Sequence, residues 1–277
     1  MKILELFGLK AAREISPEER QSLGNRLIIA ADSGDLEAVQ QALKDGADVN
    51  FQDNIGRTAL MIFAEDNQPA GVELLLSKEA DVTLTNNSDQ TALHLGARRA
   101  VDQAIWQGLL DAGAPVNLRD KHGATVAFYA AQTDSAGLLE ALAAEKADFT
   151  MASKKGATPL MQATAFAHTA AIAVLVQRDC AIDAQDDDGR TALMHAALSG
   201  NLGFVRELLA RGANFDLRDN NGETAEQIAT RLPGRQNVQV PLAEAFAARI
   251  APFRDGTERH ITAMKKITLS PRNGAGT

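Results

Sequence analysis

The feature that most constrains this chain is a five-residue signature that returns at a fixed interval. Gly-Arg-Thr-Ala-Leu begins at Gly56 and again at Gly189, with Gly-Ala-Thr-Val-Ala at Gly123, Gly-Ala-Thr-Pro-Leu at Gly156 and Gly-Glu-Thr-Ala-Glu at Gly222. From Gly123 onward the starts lie 33 residues apart. Between Gly56 and Gly123, Asp89-Gln-Thr-Ala-Leu93 falls at steps of 33 and 34, and 33 residues before Thr58 lies Asn25, which opens Asn25-Arg-Leu-Ile-Ile-Ala-Ala31 without the glycine and threonine. A period of this length marks small units that bury their apolar faces on one another. Seven units are counted, the first and last as caps. A chain of 277 residues admits one domain or two. The unbroken register instead favours a single repeat domain over 23–250, an N-terminal helical extension or cap over 1–22, and a basic tail over 251–277.

One unit shows what each encodes. Thr191 offers an N-cap hydroxyl to an alanine-rich helix, and Ser199-Gly200-Asn201 breaks it. Leu202, Val205, Leu208 and Leu209 then recur at helical spacing until Gly212 stops the second helix. The following Asp216-Leu-Arg-Asp-Asn-Asn-Gly222 is rich in turn formers and predicts a projecting hairpin-like loop.

With Gly-Arg-Thr-Ala-Leu-Met at 189–194, Gly-Ala-Asp-Val-Asn at 46–50 and Gly-Ala-Pro-Val-Asn at 113–117, the chain resembles the ankyrin-repeat family from about Asn25 to Ala248. The resemblance implies an all-α solenoid of stacked helix-turn-helix units with projecting β-turn loops and a concave face. It also implies a protein-binding role as adaptor, scaffold or inhibitor. An immunity-type partner, an effector delivered into another cell, and membrane association through residues 1–12 are the alternatives.

Departures from the pattern carry their own expectations. Asp89 stands where other units have the turn glycine, and aspartate tolerates the left-handed region better than most residues. The third unit has one extra residue and puts Trp106, the only tryptophan, on its second helix, where a bulge is expected. Ser16-Pro-Glu-Glu19 is a capping-box pattern that predicts a helix from Pro17. Apolar Ile3, Leu4, Phe7 and Leu9 are assigned to capping the stack, and Pro241–Ile250 to a closing helix. In the tail, five basic side chains against two acidic give +3, on a chain of net charge −8.

That acidity argues against nucleic acid as a partner. No apolar run reaches membrane-spanning length, and Glu5 interrupts the only apolar stretch near the N-terminus, so neither membrane insertion nor a signal peptide is read. A lone Cys180 needs no oxidising compartment, which fits the cytoplasm. The five histidines never reach metal-site spacing, and Asp186-Asp-Asp188 belongs to a recurring turn. No catalytic residue, metal or cofactor is therefore expected. A monomer that binds another protein is.

By position, the resemblance puts recognition on the turn tips and first-helix ends. The candidates are Arg57, Arg98, Arg99, Lys121, His122, Gln132, Lys154, Lys155, Phe166, Asp187, Asp188, Arg190 and Leu198. Along the sequence they form a basic middle with Phe166 and Leu198 as exposed apolar neighbours, followed by an acidic pair. That arrangement suits an acidic, partly apolar protein segment.

Overall fold

The computed structural model describes residues 16–231. Among these residues the regular structure consists of thirteen α-helices and no strands. Two compact units divide between Ala181 and Ile182. The first contains α1 (Pro17–Asp32), α2 (Leu36–Lys44), α3 (Ala59–Glu65), α4 (Pro69–Leu76), α5 (Ala92–Arg99), α6 (Gln103–Asp111), α7 (Val126–Gln132), α8 (Ala136–Ala144), α9 (Pro159–Ala165) and α10 (Thr169–Leu175). The second contains α11 (Ala192–Ser199), α12 (Leu202–Ala210) and α13 (Ala225–Arg231). The closing helix expected over Pro241–Ile250, the tail, and the helix expected within residues 1–12 fall outside the described residues.

The period of the sequence becomes two layers in the first unit. The first helices α1, α3, α5, α7 and α9 pack in succession, and the second helices α4, α6, α8 and α10 pack in succession beside them. In the second unit α11 packs against both α12 and α13. The signature threonines start the first helices as expected: Thr58, Thr91, Thr125, Thr158 and Thr191 each accept the N–H three residues on. These hydroxyls are buried, so the cap satisfies a helix end that water cannot reach. Ser16 does the same for α1, accepting from the Glu19 N–H at 3.2 Å. From there the chain runs as one 16-residue helix through residue 22 and into the first repeat.

Core packing changes hands between repeats. Five residues beyond the cap, most first helices of the signature repeats have a small residue: Ala130, Ala163, Ala196. The second repeat has Phe63 there, fully buried, and answers it with Gly71 on α4, where an added Cβ would lie 2.4 Å from the Phe63 ring. The third repeat reverses the exchange, with Gly96 on α5 facing Val101 and the fully buried Ile105.

The extra residue of the third repeat is located elsewhere than expected. The left-handed residue that ends each first helix comes nine places after the cap in every repeat with the signature up to the sixth: Asn67, Ala100, Asp134, Ala167 and Gly200. In the third repeat one further residue, the buried Val101, precedes the next helix. Helix α6 then forms nine regular residues without a bulge, because a turn absorbs an insertion at less cost than a helix whose hydrogen-bond ladder would be broken. Trp106 is half-buried and lies over Gly137 of α8, with an added Cβ there 3.7 Å from its ring.

Asp89 has a φ of +59°, in the left-handed region that its glycine counterparts occupy at +72° to +78°. Its N–H closes the turn on Asn86 O at 2.9 Å. Asp89→Gly is therefore expected to leave stability unchanged or raise it by up to about 1 kcal/mol. A distinct drop in melting temperature would count against this assignment of the strain.

Candidate protein-binding surface

Every hairpin tip is held by one short polar side chain. Oδ1 of Asp53, Asn86, Asp120, Asp186 and Asp219 accepts the N–H groups two and four residues ahead at 2.8–3.1 Å. Ser153 fills this place in the fifth repeat, its Oγ 3.4 Å from the Lys155 N–H. The tips of the first unit are also tied to one another. The N–H of Asn87 donates to Ile55 O at 2.9 Å, that of Lys121 to Ser88 O at 3.0 Å, and that of Lys154 to His122 O at 2.8 Å. Side chains on these tips thus project from a backbone that is fixed both within a repeat and between repeats.

On this frame, Lys121, His122, Lys154 and Lys155 are exposed. None of the three lysines appears in an ion pair among the described residues, whereas the tips before them carry the neutral Asn54, Ile55, Asn87 and Ser88. At the first-helix ends, Arg98 and Arg99 share one carboxylate, reaching Glu65 Oε1 at 3.4 and 3.1 Å, so this trio keeps one net positive charge. Phe166 is 52% exposed and stacks on His168 with centroids 5.8 Å apart. The His168 Nδ1 contacts Ala131 O of the preceding repeat at 3.0 Å, which steadies the pair.

The other sequence candidates are placed differently. Arg57 is fastened to Asp53 at 2.9 Å and to both oxygens of Asp32 at 3.2 Å, so its guanidinium braces the second hairpin against α1. Gln132 is half-buried at the end of α7. Asp187, Asp188, Arg190 and Leu198 belong to the second unit. There Arg190 reaches Asp188 at 3.3 Å and points Nε at Asp219 from 3.9 Å, while Asp187 and Asp188 are exposed. Leu198, expected on the surface, is half-buried, since a helical leucine leans back over the preceding turn.

Two histidines, His94 and His195, brace the stack. His94 is fully buried; its Nδ1 lies 2.9 Å from Thr91 Oγ1 and takes the Thr91 N–H, which leaves Nε2–H for Leu118 O at 3.1 Å in the next repeat. Burial lowers its pKa, favouring this neutral form. His195 Nε2 meets Asp186 Oδ2 at 2.8 Å. Cys180 is buried. Among the described residues no three His, Cys, Asp or Glu side chains gather as a metal site.

One arrangement was not foreseen. Asp120 Oδ2 accepts the Tyr129 hydroxyl at 2.6 Å and the Gln90 amide at 3.0 Å, joining the third and fourth repeats directly beneath the Lys121 tip. Burial works against the Asp120 carboxylate, but Tyr129, Gln90 and the Ala124 and His122 N–H groups outweigh it and hold the pKa below the usual range. Burial and the neighbouring carboxylate push the Tyr129 phenol up to about 12. Gln90 follows Asp89 at the turn, yet its amide is buried in this clamp.

Helix pairs of this length, capped by threonine and joined by projecting hairpins, define a repeat scaffold that presents side chains for binding. The ankyrin-repeat model matches in three copies, at residues 27–120, 99–186 and 168–246. The chain belongs to the ankyrin-repeat family, whose repeats are protein–protein interaction modules. It is 36% identical over 131 residues to human Ankyrin repeat and SOCS box protein 6, a match covering 47% of this chain and 31% of that protein. It is 34% identical over 110 residues to human Neurogenic locus notch homolog protein 2, covering 39% of this chain and 4% of that one. The chain thus spans about a third or less of these relatives. Among solved structures, the ankyrin repeat domain of Bcl-3 aligns with a TM-score of 0.65 at 25% identity, covering 78% of this chain and 96% of that one. That of human ASB11 aligns with a TM-score of 0.70 at 23% identity, covering 79% and 96%. No helix of the described residues is long and apolar enough to cross a membrane.

Proposed function

We propose that this chain is an adaptor, scaffold or inhibitor that binds an acidic protein segment through the hairpin tips of its fourth and fifth repeats. Lys121, His122, Lys154 and Lys155 supply the charge, Arg98 and Arg99 extend it, and Phe166 on His168 offers an apolar anchor. The supporting observation is that three lysines with no ion-pair partner among the described residues stand on a cross-bonded row of tips in a chain of net charge −8. Solvated lysines are ordinary on a protein surface; two consecutive tips carrying them, after two neutral tips, concentrate the field. Such a field speeds and orients encounter with an acidic partner. We place this activity in the cytoplasm, since the fold relies on no disulfide.

The test compares proteins captured from native lysate by wild type and by Lys121→Glu/Lys154→Glu/Lys155→Glu, with thermal unfolding as a control for folding. The expected result is a protein whose affinity falls at least about ten-fold, roughly 1.4 kcal/mol, in the variant. Unchanged capture by a folded triple variant would remove the tips from the binding surface.

A further inference from the structure

We infer, building on that reading, that the preferred partner segment is a polyproline-II-like extended chain carrying two carboxylates three residues apart. Lys121 and Lys154 occupy equivalent places in consecutive repeats, and the Lys154 N–H to His122 O bond of 2.8 Å keeps their tips adjacent. Packed helices lie about 8–10 Å apart, which sets the order of separation of equivalent tip residues. A polyproline-II chain turns once every three residues and rises about 3.1 Å per residue, so residues i and i+3 face the same side about 9 Å apart. A β-strand offers same-face spacings of about 6.6 or 13 Å and misses this interval on either side.

A helix could match with acids at i and i+7, about 10.5 Å apart. The second residues of the two tips favour the extended form. His122 and Lys155 are exposed beside Lys121 and Lys154. They offer donors to the free carbonyls of an extended chain, whereas helix carbonyls are already bonded internally.

Synthetic proline-rich peptides of equal charge, with aspartates at i,i+3 or at i,i+2, and an alanine-rich helical peptide with aspartates at i,i+7, supply the test. Binding to the full chain is read by fluorescence anisotropy at low ionic strength. The i,i+3 peptide is expected to bind at least about ten-fold tighter than either other peptide, and Lys121→Glu or Lys154→Glu singly to remove that preference. Equal binding of all three peptides, a preference for the helical one, or no binding of the i,i+3 peptide at about 1 mM overturns the inference. If the spacing preference fails while the triple variant still loses its captured protein, only the register is wrong. Should the triple variant retain that protein, the surface itself is wrong.

Discussion

Phe63→Ala is expected to cost about 3 to 5 kcal/mol, because it empties the volume of a fully buried ring that no neighbour can fill. The neighbour that would ordinarily fill it is Gly71, whose lack of a side chain is what admits the ring, with an added Cβ 2.4 Å from ring carbons. Gly71→Ala should therefore be destabilising as well, by about 1 to 3 kcal/mol, through overpacking. The two losses should not add. Phe63→Ala with Gly71→Leu restores the arrangement of the fourth repeat, where Ala130 on α7 accompanies the buried Leu138 on α8, and should recover much of the stability lost by Phe63→Ala alone. Denaturant midpoints for the cycle give the coupling directly. Additive losses would mean that the ring and the glycine do not share one volume.

That exchange also shows why the fold was more legible than its packing. The 33-residue register and the threonine caps are local properties, each fixed by one residue type at one place, so the sequence expresses them openly. Thr58, Thr91 and Gly200 act as their positions predict. The Phe63–Gly71 pairing depends on which two helices touch, and neither residue announces the other. Similarly, the insertion in the third repeat was visible as a step of 34, but a count cannot tell a turn from a helix as its seat. Only the buried Val101 after the left-handed Ala100 does.

For the binding surface, position along the repeat identified which side chains stand at tips and helix ends, and polarity alone could not sort them further. Arg57 and Lys121 looked equivalent in sequence. Arg57 is immobilised because Asp32 and Asp53 converge on it, whereas no carboxylate among the described residues pairs with Lys121. Bracing draws on the same residue types as the candidate surface, and Arg57 differs from Lys121 in meeting a counter-ion from another repeat. A signal did exist for the bracing: Asn67 and Asp134 replace glycine at left-handed positions, and each uses its side chain to take an N–H of the next repeat, from Asp102 and Ala171 respectively, at 2.8 Å.

The clamp under the Lys121 tip joins scaffold to surface. Asp120→Ala removes the acceptor of two turn N–H groups at 2.8 and 2.9 Å and leaves the buried Tyr129 hydroxyl and Gln90 amide without their carboxylate. The expected loss is about 3 to 5 kcal/mol, since several donors lose their acceptor at once, at about 1 to 3 kcal/mol for each that stays buried. Tyr129→Phe takes away one donor to the carboxylate and should cost about 1.5 to 3 kcal/mol. The pH dependence separates the partners. Folding favours the ionised Asp120, so its contribution is complete above the ordinary carboxylate pKa of about 4 and drains away as pH falls through its lower folded value. Folding favours the neutral Tyr129, whose pKa is raised to about 12, so stability declines as pH climbs from about 10 toward that value. Tyr129 is the only tyrosine, so tyrosinate absorbance follows it without ambiguity. In Tyr129→Phe the alkaline decline should flatten while the acid limb persists. Since Asp120 immediately precedes Lys121, the same alanine variant should weaken partner binding even where the stack remains folded, whereas Tyr129→Phe, which keeps both turn bonds, should bind nearly as wild type. Equal affinity of the folded Asp120→Ala protein would show that the tip does not need its aspartate to present the lysine.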